Sequence, residues 1–556
     1  MAKQGRRPEA ARRTGAPAAP TPSVPPGMAP PAAAAWRVLL LPLVCAVALL
    51  GFGGMAASQP RLAWTFAAAG VGVLVWIAVL YATARAAGRA LSMELVVRRQ
   101  HWVQACAQIA IVLYWGWYVR FVYAFVPLIL AQIVFAYAVD SLLTWSRRGT
   151  YALGFGPWPV VLSINLFLWF RPEWFYWQFA MILVGYGAKE LIRWTRDGRS
   201  AHIFNPSSFP LAVASVLLIL TANSDITLGT AIATTQFYPP HMYLLIFLVS
   251  LPGQLLFGVA RMTLSAVVTL FLISEVFLQA TGTYLFYDSH IPLPVFLGMH
   301  LLFTDPSTSP RSGTGRVLFG VMYGSGTALF YVMLTSMGVP TFYDKLLPVP
   351  LMNLTVRAID RLVASGRLPF GAPPAPVAPD ARTVAPPAGI RRAHVVYTAL
   401  WAAIFLALSG VRALGDDHPG QALPFWQEAC EAGSERACTY ATAMTGIYCD
   451  NGSGWACYDW GVRQLETRRP AGRAFARACE LGFTPGCDAV ASARAGAAPV
   501  AGAIPPRAEP LLADWPIVLR GTKPPLQERD PERLLVIACA HGWPGTCAPH
   551  TAARGD

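Results

Sequence analysis

Charge is scarce in this chain. Of its 556 residues only 13% are Asp, Glu, Lys or Arg, where a soluble globular protein carries roughly 25%. Hydrophobic residues make up 55%, which excludes an ordinary soluble domain and points to a membrane protein. Cysteine is almost absent before residue 429, where only Cys45 and Cys106 occur, each alone inside an apolar run. Recognised nucleotide and cluster motifs are missing as well. There is no P-loop, no dinucleotide-binding glycine fingerprint, no H-E-x-x-H and no C-x-x-C of iron–sulfur spacing. The chain offers no visible means of binding ATP or NADH. No internal repeat is evident in the apolar part.

Apolar runs are what the sequence has in abundance. A membrane span takes roughly twenty apolar residues. Candidate runs lie at 36–58, 62–84, 102–119, 121–143, 152–170, 174–192, 207–222, 242–258, 262–281, 293–304, 317–338, 346–363 and 395–412. The fold class expected is all-α: a polytopic bundle of about 13 spans followed by a small disulfide-stapled helical region. The tenth and twelfth runs are short enough to be partial or re-entrant. Such segments exist at membrane depth only when protein surrounds them.

The net charge of +14 does not argue for nucleic acid, because the cations sit in short connectors. With the N-terminus inside, the inside connectors hold Arg85, Arg89, Arg98 and Arg99; Arg147 and Arg148; Arg193, Arg196 and Arg199; Arg261; Arg311 and Arg316; and Arg367, Arg382, Arg391 and Arg392. The outside connectors hold Arg61, Arg120, Arg171 and Lys345. The positive-inside rule then puts the N-terminus in and the C-terminus out. Residues 1–35, with Arg6, Arg7, Arg12 and Arg13 among Pro and Ala, lack a core-forming pattern and are expected to be disordered. The first apolar run begins too late for a cleaved signal peptide. Residues 364–394 read as a Pro/Ala linker before the last span.

Eight cysteines fall in the last part, residues 413–556: Cys430 and Cys438, Cys449 and Cys457, Cys479 and Cys487, Cys539 and Cys547. Every pair reads C-x-x-G-x-x-x-x-C, with Gly433, Gly452, Gly482 and Gly542 in the same place. The pattern suits a helix that ends near the first Cys, leaves through a left-handed glycine, and restarts at the second Cys. A disulfide within each pair then clamps a helical hairpin and contributes about 2–4 kcal/mol. Zinc is the competing reading, without the tight C-x-x-C spacing that favours it. Disulfides imply an oxidising, extracytoplasmic compartment, which agrees with the charge-based topology.

Two inside connectors carry unusual chemistry: GRSAHIFNPSSFP (Gly198–Pro210) and TDPSTSPRSGTGR (Thr304–Arg316). Asn205 and Pro206 either shape a ligand pocket or form a helix-entry turn, with Asn205 or Ser207 capping the next span. Arg199 and His202 either meet an anion or form an interfacial basic cluster. Asp305, Ser307, Thr308 and Ser309 either ligate a phosphate or cation or cap their own turn. Within the spans, Glu275 and His300 are candidates for proton or ion handling, since ionisable groups there are costly and often functional; the alternative is a satisfied interhelical hydrogen bond. Lys189 and Glu190 read as an interfacial pair, and Trp174, Tyr176 and Trp177 as an interfacial belt.

HIFNPSSF (His202–Phe209), TDPSTSPRSGTGRVLFG (Thr304–Gly320) and LMNLTVRAID (Leu351–Asp360), in that order, resemble the RnfD/NqrB family of membrane proteins, which belong to the Rnf electron-transport complex and the sodium-translocating NADH:quinone reductase. The resemblance covers roughly residues 100–365. It implies a membrane flavoprotein holding FMN or riboflavin, partnered by other redox subunits, with electron flow coupled to ion movement. It places Arg199, His202, Asn205, Ser207, Asp305, Ser307 and Thr308 as cofactor-binding candidates. Many members hold FMN covalently on a Thr in an S-x-A-T-like motif; this chain has only IATT (Ile232–Thr235), making Thr234 the candidate. ACEAGSERAC and ACELGFTPGC (Ala429–Cys438, Ala478–Cys487) resemble Sel-type repeats, relatives of tetratricopeptide repeats, which implies docking of extracytoplasmic proteins. First cysteines recur at intervals of 19, 30 and 60 residues, too irregular for a regular solenoid. A cofactor-free membrane anchor or transporter-like protein, scaffolding partners through the repeats, is the alternative function.

Overall fold

The computed structural model describes residues 35–366, 392–410 and 454–495, apart from 197, 237–238, 240, 282–284, 287–289 and 467, together with scattered positions from 414 to 449. The N-terminal segment 1–34, most of the Pro/Ala linker, and the Cys539–Cys547 pair lie outside the described residues.

The described chain is mostly helical. Among the described residues six helices are long and apolar enough to cross a membrane: α1 (Ala35–Met55), α2 (Pro60–Ala86), α4 (Arg120–Arg147), α10 (Ala260–Thr281), α12 (Gly313–Ser336) and α14 (Arg392–Gly410). Between them run α3 (Arg99–Tyr118), α5 (Pro157–Asn165), α6 (Tyr176–Leu191), α7 (Ser208–Leu220), α8 (Gly229–Thr235), α9 (Met242–Phe257), α11 (Leu293–Leu301) and α13 (Pro348–Ala364). The long helices stay apolar all round because lipid, not water, is their solvent. The short ones survive because protein surrounds them. All nine residues of α11 are buried, as are seven of the nine in α5. At 1.5 Å per residue each is about 14 Å long, half of a ~30 Å hydrocarbon core.

Glycine sets two close approaches. A side chain at Gly320 or Gly324 on α12 would run into the Met262 and Ala266 carbonyls of α10, the small-residue packing seen where helices meet in lipid. Gly185 on α6 likewise leaves room for the Pro206 carbonyl, so α6 packs directly against the Asn205–Pro206 turn.

An all-α reading misses two small pairings. Strand β1 (Ser92–Leu95) pairs in parallel with β2 (Thr150–Leu153). Strands β3 (Arg193–Arg196) and β4 (Arg199–His202) form an antiparallel hairpin, with Gly198 at φ +73° in its turn. These strands satisfy backbone groups in connectors that helices cannot reach.

The bundle has two distinct ends. At one, Trp145 Nε1 donates to the Ser92 carbonyl at 2.9 Å, Arg196 bonds Asp360 at 2.7 Å, Arg316 donates to the Gly258 carbonyl at 2.7 Å, and His394 Nδ1 donates to the Leu255 carbonyl at 3.1 Å. The connectors carrying most of the described arginines therefore meet. At the other end Arg171 donates to the Asp225 carbonyl at 2.7 Å, Tyr343 bonds Ser224 at 2.9 Å, and Tyr243 donates to the Ile291 carbonyl at 2.9 Å.

Among the described residues there are three disulfides, Cys430–Cys438, Cys449–Cys457 and Cys479–Cys487, with Cα separations of 4.5, 4.4 and 4.5 Å. Cys479 ends the helix Gly472–Glu480 and Cys487 lies in the first turns of Thr484–Arg494. Gly433 and Gly482 have φ of +102° and +85°, the left-handed exit that the spacing anticipates.

Candidate functional site

The two unusual connectors and the LMNLTVRAID segment come together at the arginine-rich end. Asn205 is the pivot. Its Oδ1 accepts from the backbone of Ser207 at 2.9 Å and of Ser208 at 3.2 Å, and from Ser207 Oγ at 2.7 Å. These groups open α7, where backbone donors lack helical partners. Its Nδ2 donates to the Leu302 carbonyl at 3.3 Å, reaching the exit of α11. Its backbone N–H donates to Asn353 Oδ1 at 3.2 Å, across 148 residues of sequence. Asn353 Nδ2 in turn donates to the Thr308 carbonyl at 3.1 Å. Two buried asparagines thus bolt the first connector, the second and α13 into one polar unit.

Asp305 holds its own turn. Its carboxylate accepts from the Ser307 backbone at 2.9 Å, from Ser307 Oγ at 2.7 and 2.8 Å, and from Thr308 Oγ1 at 3.3 Å. His202 Nε2 lies 3.1 Å from Ser307 Oγ. That hydroxyl gives its proton to Asp305, so His202 is the donor. Burial holds the His202 imidazole below the ordinary histidine range, with Asp305 pulling the other way and Lys189 and Arg193 adding to the depression. Behind them Arg196 donates to the Ser309 carbonyl at 3.1 Å as well as to Asp360, whose Oδ1 accepts from the Arg311 backbone at 3.2 Å.

Of these residues, His202, Asn205, Ser207, Asp305 and Ser307 face a cavity of about 180 Å³. Its rim carries Arg98, Lys189, His202, Asp305 and Ser307, and its depth carries Gln254 and His300. Val103, Val160, Val249 and Phe257 supply apolar wall. Asn205 and Ser207 line it; the Thr308 side chain is buried beside it, held by Asp305. Arg199 is placed in β4 opposite Arg196. Lys189 and Glu190 do not pair with one another: Lys189 bonds Asp140 at 2.9 Å and Glu190 bonds Arg148.

Not every candidate is here. Glu275 lies toward the far end of α10, where it bonds His290 Nε2 and Gln279 Nε2, each at 2.8 Å. Thr234 lies in α8, beyond the end of α7 opposite the Asn205 turn. Its neighbour Thr235 accepts from Trp115 Nε1 at 3.3 Å, near the end of α3 remote from the cavity.

Some cavity residues escape a search for ionisable groups. Gln254 and Gln104, and the buried Asn353 that ties the connectors together, are uncharged polar residues within apolar runs, and that burial cost is the signal that could have found them. Asp140, inside the fourth run, carries the same signal. No family model, curated protein or solved structure matches this chain; the site rests on its own geometry.

Proposed function

We propose that this chain is a membrane subunit of an electron-transport assembly of the Rnf or sodium-translocating NADH:quinone reductase kind, and that the cavity between its two polar connectors holds a flavin. The observation that carries this reading is the convergence itself. Three segments picked out by resemblance, far apart in sequence, hydrogen-bond to each other around one cavity. The donor set suits FMN or riboflavin. An apolar wall accommodates a ring system, and Arg98, Lys189 and His202 at the rim favour a phosphate. A bound flavin supplies reversible one- and two-electron transfer; the chain binds it, orients it and excludes water. Donor and acceptor are partner subunits.

The topology proposed is thirteen traverses of a bacterial-type cytoplasmic membrane. What supports it is the alternation of the connectors between the two ends, with the arginine-rich end inside. The N-terminus is then cytoplasmic, and the cysteine-rich region is periplasmic and docks partner proteins. Glu275 belongs to the outer end, and with His290 it is a candidate relay for protons or ions.

The absorbance spectrum of the full-length protein purified from flavin-replete cells tests the reading. A flavin spectrum, covalent or extractable, supports it. Colourless protein that also takes up neither riboflavin nor FMN favours the second reading, a cofactor-free anchor that scaffolds partners. One observation leans that way: α8, which carries Thr234, is remote from the cavity. Mass spectrometry of the Asp225–His241 peptide decides the covalent site on its own, because an unmodified mass rules out flavin on Thr234.

A further inference from the structure

Two described residues lining the cavity bury a polar atom that meets no partner: His300 Nε2 and Gln254 Oε1. The side chains are 3% and 1% exposed. Leaving such atoms unmet is costly, and native proteins rarely do so without a ligand or water.

Neither atom is free to change character. His300 Nδ1 is 2.7 Å from the Phe296 carbonyl, which can only accept. The imidazole proton therefore sits on Nδ1 and leaves Nε2 as a bare lone pair. The ring is held in place by Phe296, with centroids 4.2 Å apart, and by Trp401 of α14 at 5.6 Å. Gln254 is fixed by a relay. Ser250 Oγ donates to the Phe247 carbonyl at 2.9 Å, so it can only accept from Gln254 Nε2 at 3.3 Å. Gln254 must then turn its carbonyl oxygen away from Ser250. The unmet atoms at the cavity's depth are both acceptors.

We infer that the deep end of the cavity is a seat for the hydrogen-bond-donating edge of a neutral, largely apolar ring ligand, one that presents an N–H or O–H group to His300 and Gln254. An anionic group is refused there, because its lone pairs would face two fixed lone pairs in an apolar surround. Any phosphate on the ligand points outward, to Arg98 and Lys189. This deepens the flavin reading and rests on the same cavity, but the donor requirement is independent of which ring fills it. Trp401 acts as a positioning residue. It comes from the last helix, outside the segments that carry the family resemblance.

The test uses full-length protein in lipid nanodiscs. Riboflavin and 3-methylriboflavin differ in one N–H donor. The methylated ring is expected to bind about tenfold more weakly, the effect of one hydrogen bond to a buried acceptor. In His300→Phe, which keeps the ring shape, the two ligands bind equally; Gln254→Leu provides a second variant should the first not fold. A flavin-free arm uses protein with nitrogen-15-labelled histidine, in which one of the nine histidines is assigned to position 300 by its loss in His300→Phe. Indole shifts that Nε2 resonance and 1-methylindole does not. If no flavin binds but indole passes this test, the donor seat stands and the flavin reading falls. If the methylated member of each pair behaves like its parent, water alone fills the deep end and the inference is overturned.

Discussion

The two ends of the bundle solve different problems with different chemistry. At the arginine-rich end, side chains up to 164 residues apart in sequence bond one another, and those of Asn205 and Asp305 fix turns that line a cavity. At the opposite end the described side-chain bonds mostly reach single backbone carbonyls, as at Arg171, Tyr243 and Ser274. The buried Asp344–Lys345 pair there is a contact between chain neighbours, at 3.2 Å. A loop that only connects needs its backbone satisfied. A loop that must hold a ligand needs its side chains preorganised as well. The first end carries that second kind of construction.

The difference can be broken most sharply at Asn205. Asn205→Ala leaves three donors at the start of α7 and the Leu302 carbonyl without their partner, and is expected to cost about 2–4 kcal/mol. Thermal unfolding in nanodiscs reads the loss, which should be accompanied by faster maleimide labelling of cysteines placed in the Thr304–Arg316 connector. A wild-type melting profile would mean the asparagine bolt is not structural. The cysteine region serves as a control for locality. Cys479→Ala with Cys487→Ala removes a short-loop disulfide worth about 2–3 kcal/mol. Limited proteolysis should then open residues 472–495 while ligand uptake by the cavity stays unchanged.

Acid should distinguish the ends next. His202 is held neutral in the folded state by burial, whereas in the unfolded chain it protonates near pH 6.5. The unfolded state then binds more protons below that value, so the arginine-rich end loses stability as pH falls through about 6.5 and is insensitive to His202 above it. Hydrogen exchange in the β3–β4 hairpin should rise on acidification, and His202→Gln should flatten that rise. The smallest effect belongs to the other end. Glu275 is about one-third exposed, and Glu275→Gln should shift stability by less than about 1 kcal/mol. A large loss would show that the far end, too, is built around a buried polar network.

Much of this architecture is legible in the sequence, for physical reasons. Apolar run length is set by the bilayer, so nearly every expected span has a helix within it. The glycine of each C-x-x-G-x-x-x-x-C repeat announces a left-handed exit, and Gly433 and Gly482 adopt it. The polar connectors stand out because Asn, Pro, Asp and Ser cluster where a plain connector does not need them. What the sequence hides is mutual position. Nothing local in LMNLTVRAID says that Asn353 answers both Asn205 and Thr308. Lys189 and Glu190 look like a pair because they are adjacent, yet a helix turns neighbours to different faces, and each finds a partner on other segments. Asp197-Gly198, a strong turn dipeptide, signals the β3–β4 hairpin, but arginines rather than alternating apolar residues flank it and mask the strands. Gln254 is hard to see because an amide in an apolar run stands out less than a charge.

The central claim is that the two polar connectors enclose one ligand cavity, and cysteine protection measures it most directly. Ser307→Cys, made with Cys106→Ala to remove the exposed native thiol, puts a thiol at the cavity rim. Saturating riboflavin should slow maleimide labelling of that thiol at least about tenfold relative to the ligand-free protein. A labelling rate unchanged by riboflavin or FMN would contradict the account.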